Sequence, residues 1–238
     1  MVERAPILVL CAHGTRDPAG AAVVRRIARG LSRERPGLEV IRGYVDVQSP
    51  HITDLTTALS AAGRRYVVVP LLLSAGQHVL VDIPSALGRS GAIGADRLGP
   101  DRVLADLLVT RLREAGAVDS DAVVLAAAGS ARAEAAADVQ KAVGMLRERW
   151  SGEVQVGYGA SARPTVTQSV TQLRAVYPRV AIASYLIGPG HFHSMLSGCG
   201  ADIISAPLGA HESLVRLVLE RYDVARSRTR QGWCPAAV

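Results

Sequence analysis

The chain is written twice. Residues 8–16, LVLCAHGTR, return in outline at 123–131 as VVLAAAGSA. Residues 40–50, VIRGYVDVQSP, match 154–164, VQVGYGASARP, with Gly, Tyr and Pro in step. Residues 67–78, VVVPLLLSAGQH, match 181–192, AIASYLIGPGHF. The three pairs keep their order and lie 115, 114 and 114 residues apart, measured from His13 to Ala128, Gly43 to Gly157 and Gly76 to Gly190. A fold made this way consists of one unit used twice in tandem, each of a size able to hold its own core. The copies differ in one telling respect. His13 stands opposite Ala128 and His78 opposite Phe192, so a pair of imidazoles belongs to the first copy alone.

Each copy alternates short apolar runs with stretches of helical spacing. In the first, strands are expected at 7–12, 39–45 and 66–73, and helices at 19–35, 51–63, 79–90 (with Pro84 at or near a break) and 101–115. The second repeats the order, with strands at 122–127, 153–158 and 179–187 and helices at 132–149, 164–176 and 210–225. Continuous apolar runs bounded by turn residues fit strands buried on both faces. Strands alternating with helices imply an α/β fold whose mostly parallel sheets are flanked by helices. The expected division is 1–117, which carries the histidines, 118–226, the altered copy, and 227–238, a tail without periodicity. The junction falls in GAVDSD, 116–121.

Composition narrows the partners. The formal charge of +6 rests almost wholly on arginine, because Lys141 is the single lysine. Guanidinium forks suit carboxylates and phosphates, so an acidic small molecule is a natural ligand. Aromatics make up 4% of the chain, too few for the stacking platforms of single-strand nucleic-acid binding, and the charges form no basic block. Neither nucleic acid nor membrane is therefore expected as a partner. The longest apolar runs fall short of the roughly 18–20 residues of a membrane span. Cys11, Cys199 and Cys234 are dispersed and support neither a disulfide framework nor a cysteine metal cluster. A cytoplasmic setting is expected.

In open parallel sheets, ligands bind beyond the carboxyl ends of the strands. His13 follows the first strand, Asp46 the second and His78 the third, so the three converge on one sheet edge. Two imidazoles and a carboxylate suit a borderline divalent metal, and equally an acid/base set near neutral pH. Each residue also has a plainer reading. A histidine after a strand can be a satisfied polar residue, and the position of Asp46 favours capping the next turn or pairing with Arg42. His51 reads as a helix start and His211 as structural. His191 and His193 read as solvent-facing loop residues, with a second metal contact as the alternative.

AHGTRDP near the start, followed by VVVPLLLSAGQHVLVDIP, resembles the class II tetrapyrrole chelatases of the CbiX/SirB type, the sirohydrochlorin chelatases. The likeness spans essentially the whole chain, since long members of that family fuse two chelatase-like, Rossmann-like halves. It implies that His13 and His78 are the catalytic, metal-contacting pair. It puts Asp46 where the family usually has glutamate, one methylene longer. It further implies substrate contacts from Gly14, Thr15 and Arg16 and from Ser74, Ala75, Gly76 and Gln77. The implied reaction is ATP-independent insertion of a divalent metal into the acidic tetrapyrrole sirohydrochlorin, with no organic cofactor. Fe2+ for siroheme is favoured, because the chain lacks the His-rich tract and iron–sulfur cysteines of some long cobalt-type relatives; Co2+ for cobalamin is the alternative and Ni2+ also suits such ligands. A monomer with a pseudo-two-fold pair of domains is expected. Two rival readings remain: a non-catalytic metal or tetrapyrrole carrier, and a histidine phosphotransfer enzyme, disfavoured because Ala12 stands where those enzymes have arginine before His-Gly.

Overall fold

Ile7, Val9 and Cys11 point to one face of the first strand, and Leu8, Leu10 and Ala12 to the other, and all six are buried. That two-sided burial dictates helices on both faces. The computed structural model describes residues 5–76, 82–90 and 93–230. It contains two four-stranded parallel sheets with identical plans. The first sheet is ordered β2-β1-β3-β4, from β1 (Ile7–Ala12), β2 (Val40–Tyr44), β3 (Tyr66–Pro70) and β4 (Ile93–Gly94). The second is ordered β6-β5-β7-β8, from β5 (Ala122–Ala127), β6 (Val154–Tyr158), β7 (Val180–Tyr185) and β8 (Ile203–Ile204). The register repeats as well. Ala12 pairs with Tyr44 and Ala127 with Tyr158, and in each copy the tyrosine then bridges to the residue after a proline, His51 or Thr165. The expected parallel α/β duplication is the architecture found.

The outer face of the first sheet is covered by α2 (Ile52–Ala61) and α3 (Ile83–Ser90), and that of the second by α6 (Val166–Arg174). The inner faces carry α1 (Pro18–Glu34) and α5 (Ala133–Arg147), whose buried stripes face a shared interior. Local signals set the helix starts. The carboxylate of Asp17 accepts from the backbone of Ala19 and Gly20 ahead of Pro18 at the first helical position, and Thr165 forms a reciprocal capping box with Gln168.

The last helix of each copy crosses over. α4 (Arg102–Glu114), from the first copy, packs on β7 and α5 of the second. α8 (Glu212–Arg230), from the second copy, packs on β3, β4 and α1 of the first. Leu214, Leu217, Val218 and Tyr222 of α8 are buried in one continuous core that includes the inner residues of both sheets. The Tyr222 hydroxyl donates to the Pro6 carbonyl at 2.6 Å, and Arg35 at the end of α1 forms a paired contact with Asp223 at 2.6 and 2.7 Å. The linear division at residue 117, which we retain as the proposed seam of the duplication, is thus not where the packed units separate.

Several expectations need correction. β3 stops at Pro70 and β7 at Tyr185, so both following segments are loop rather than strand. The helix expected over 79–90 is described over Ile83–Ser90; Pro84 is its second residue, where a missing N–H breaks nothing. Residues 79–81 lie outside the described part. His191 and His193, expected in a loop, belong to a short helix, α7 (His191–Met195). Residues 227–230, expected in the tail, continue α8, and the remainder of that segment lies outside the described residues. Among the described residues, no helix is long and apolar enough to cross a membrane.

The crossover makes a direct prediction. A 1–117 fragment leaves β3 and β4 without α8, and each large apolar side chain so uncovered forfeits about 1.5–3 kcal/mol of burial. It should show no cooperative thermal unfolding as a monomer, and circular dichroism should recover the native signal on mixing with 118–238. A fragment that melts cooperatively as a monomer would contradict the exchanged packing.

Candidate active site

The turn after β1 is shaped by glycine. Gly14 has φ +97°, and a Cβ there would lie 2.0 Å from the Asp46 carbonyl oxygen. Gly129 repeats it at φ +91°, with a Cβ 1.9 Å from the Ala160 oxygen. In both copies this turn is laced to the next strand's exit: Asp46 N–H donates to His13 O, and Ala160 N–H to Ala128 O, each at 3.0 Å. The Thr15 N–H donates to Gln48 Oε1 at 3.0 Å. Val47, between these groups, holds φ +62°, a conformation disfavoured for a β-branched residue and a sign that the surrounding turn is over-determined. The scaffold under His13 is therefore present twice, and the imidazole once.

His13 is exposed on the lip of a cleft of about 630 Å3, a size suited to a small-molecule ligand. One wall is built by 12–15 and 71–76 of the first copy, and the facing wall by 127–130, 185–189 and Phe192 of the second. Apart from a few hydroxyls and His13, the lining is apolar. Nδ1 of His13 lies 3.2 Å from the Gly14 carbonyl, which is a bond only if that nitrogen carries the proton. The lone pair then sits on Nε2, the form of imidazole that accepts a proton or binds a metal.

The second copy holds the 71–76 segment in place. The Asp138 carboxylate, on α5 and 3% exposed, accepts from Ala75 N–H at 2.9 Å and from the Arg97 guanidinium at 2.7–2.8 Å. Tyr185 donates its hydroxyl to Leu73 O at 3.2 Å. Burial, with the charges of Asp138 and Asp101 behind it, pushes that hydroxyl well above the usual phenol range, so it remains a donor. This segment leads directly to residues 77 and 78.

Of the residues singled out in the sequence, His13, Gly14, Thr15, Ser74 and Gly76 line the cleft. Ala75 is buried and turns its N–H to Asp138, so it fixes the wall rather than forming its surface. Arg16 is exposed and, like Asp46, is not in the lining. The Asp46 carboxylate accepts from Val47 N–H at 2.7 Å, the turn-capping alternative, and no ion pair joins it to Arg42 among the described residues. Gln77 and His78 lie outside the described residues. His51 caps α2 and His211 caps α8, as expected of structural histidines. His191 is exposed, and His193 Nε2 lies 3.3 Å from Ser205 O. Among the described residues, no three His, Cys, Asp or Glu side chains cluster as a metal would require. The sequence reading missed Asp138 and Tyr185. An aromatic at 185, where the repeat places Leu71, was the available signal for the second.

The sequence model of the CbiX family matches residues 7–115 and again 122–225. The chain belongs to the CbiX family of class II chelatases. The double match restates the duplication. Relatives include a sirohydrochlorin cobaltochelatase of Methanosarcina barkeri, 28% identical over 130 residues, 48% of this chain and 99% of that protein. Another, from Sulfolobus acidocaldarius, is 31% identical over 117 residues, 47% of this chain and 94% of that protein. Among solved structures, SirB from Bacillus subtilis with Fe3+ superposes with a TM-score of 0.80 at 19% identity, covering 95% of this chain and 97% of that one. CbiX, described as the terminal enzyme of siroheme biosynthesis in denitrifying bacteria, gives 0.70 at 17% identity, with 92% and 99% covered. At those identities the likeness is one of fold, and it extends over both halves.

Two substitutions test the site's construction. Asp138→Ala leaves Arg97 and Ala75 N–H without their acceptor, and urea denaturation should show a loss of about 2–4 kcal/mol, with Asp138→Asn losing less. Equal stability of Asp138→Ala and the parent would show that the contact does not hold the 71–76 wall. Gly14→Ala must move the Asp46 carbonyl and should lower stability by about 2 kcal/mol or more. A melting temperature unchanged within error would contradict the close crossing of the two turns.

Proposed function

We propose that this chain inserts a divalent metal into sirohydrochlorin without ATP, using the cleft between its two halves. The observation that carries the reading is the cleft-lining imidazole of His13, mounted on a scaffold that the second copy reproduces with Ala128 in its place. Family membership and the substrate named for the relatives support the choice of macrocycle.

Metal insertion requires a ring bent so that its nitrogens face the ion, loss of two pyrrole protons, and exchange of metal-bound water for nitrogen. The apolar walls suit the faces of a macrocycle, and contact with both halves supplies binding energy to offset the bending. His13, with His78 as its partner, would hold the ion loosely on one side and accept the protons as neutral imidazoles. Asp46 lies on the neighbouring turn, and Oδ2 of its carboxylate, the oxygen that does not take the Val47 N–H, would serve as a further proton acceptor. The rim residues Gly14, Thr15, Ser74 and Gly76 would contact the ring, with Arg16, Ala75 and Gln77 supporting that edge. No organic cofactor enters this scheme.

For the metal we favour Fe2+, with siroheme as the product; the missing His-rich tract supports it. Co2+ is the second reading, favoured by the names of the curated relatives. Those relatives are about as long as one half of this chain, so here the second half would do the work of a second subunit. This supports a monomer; the setting we propose for it is the cytoplasm.

Anaerobic mixing of the protein with sirohydrochlorin and Fe2+ or Co2+, followed by absorbance, should show insertion faster than the uncatalysed rate. His13→Ala should slow it by about 10²–10⁴-fold, the usual contribution of a positioned proton acceptor, with the circular dichroism unchanged. His191→Ala should stay within about twofold of the parent. No acceleration by the parent protein sinks the reading, and near-normal turnover of His13→Ala sinks the role given to that residue.

A further inference from the structure

A second concavity lies on the far side of α1 from the cleft. Its volume is about 1050 Å3, and Arg25, Arg26, Arg29 and Arg33 of α1, Arg42 of β2 and Arg111 of α4 surround it. Between them lie apolar groups, among them Val23, Ala28, Val40, Pro207 and Ala210. No acidic or aromatic residue lines it among those described.

Most of these arginines have no carboxylate to answer them. Arg35, Arg97, Arg113, Arg174 and Arg221 elsewhere in the molecule each hold an acidic side chain. Arg111 reaches Glu114 and the Leu208 carbonyl. The side chains of Arg25, Arg26, Arg29, Arg33 and Arg42 have no hydrogen bond or ion pair among the described residues. The spacing 25, 29, 33 sets like charges at successive i,i+4 positions, which disfavours the helix. A helix that carries such a stripe beside a concave surface gains from an anion that binds there.

We propose that this groove is an outer binding site for a flat, multiply carboxylated tetrapyrrole. The apolar floor suits the ring face, and the guanidinium forks suit the peripheral carboxylates. A nucleic acid fits less well, because no aromatic side chain lines the groove among the described residues to stack on bases. The groove and the cleft meet at Pro189, which lines both, and α1 divides them, with Val23 on the groove side and Val24 on the cleft side. A macrocycle captured by the arginines is therefore held at the margin of the cleft. This inference rests on the tetrapyrrole reading of the cleft, and its test is separate from turnover.

The probe is uroporphyrin, an octacarboxylate, titrated by fluorescence into the full chain, with the four-carboxylate coproporphyrin beside it. Uroporphyrin should bind more tightly than coproporphyrin and lose affinity between 50 and 300 mM salt. The combined Arg25→Gln, Arg29→Gln and Arg33→Gln variant should bind uroporphyrin at least about tenfold more weakly and with a flatter salt dependence. In the insertion assay the same variant should raise KM for sirohydrochlorin by a similar factor, with a much smaller effect on kcat. Arg29→Glu alone provides a second variant should the triple fail to fold, and should weaken binding in the same direction. Unchanged uroporphyrin affinity in a folded variant overturns the proposal. So does a loss confined to duplex DNA or anionic vesicles. Arginine-dependent uroporphyrin binding without any metal insertion would uphold the outer site while removing the chelatase function.

Discussion

The crossing of α4 and α8 is the constraint on which the rest depends. Each sheet is buried on both faces, and each obtains part of its inner cover from the other copy's last helix. Neither half can bury its interior alone, so the two are locked into a single core. The carboxyl ends of both sheets consequently open on one cleft at a set distance. Ion pairs such as Arg35–Asp223 lie across the same seam, but the apolar interior supplies the larger share of the holding energy.

Within that frame the two copies have diverged at the cleft and stayed alike beneath it. Gly14 and Gly129 make the same left-handed turn against equivalent carbonyls, Asp46 and Ala160, because in each copy the two backbones cross too closely for a Cβ. What differs is what the turn presents: an imidazole at 13 and a methyl group at 128. The second copy contributes support instead. Asp138 and Tyr185 both reach across to the 71–76 segment, so the wall nearest His13 takes its shape from residues more than sixty positions away.

The arginine excess has two distinct uses. Some guanidiniums join elements, as Arg97 does with Asp138 and Arg221 with Asp101. Others, along α1, have no acidic partner among the described residues and stand around a groove that adjoins the cleft. Net charge alone cannot separate these roles, because it counts a paired and an unpaired guanidinium equally. Nor did the sequence reading find the groove, since it pointed to Arg16, chosen for its place beside His13.

The sequence by itself determined the duplication, the parallel α/β class, most strands and helices, and the importance of the turn at His13. Those features rest on local periodicity and on turn residues whose requirements are short in range. It did not reveal β4 and β8, which at two residues each are too short to show a period, or the helix that holds His191 and His193. It suggested a division at residue 117, because a repeat is read along the chain, whereas packing exchanges the final helices between copies. Which wall faces His13, which buried carboxylate fastens the loop, and which arginines lack partners were decided only by tertiary structure. Each depends on contacts between residues far apart in sequence, and no local pattern encodes a distance across a core.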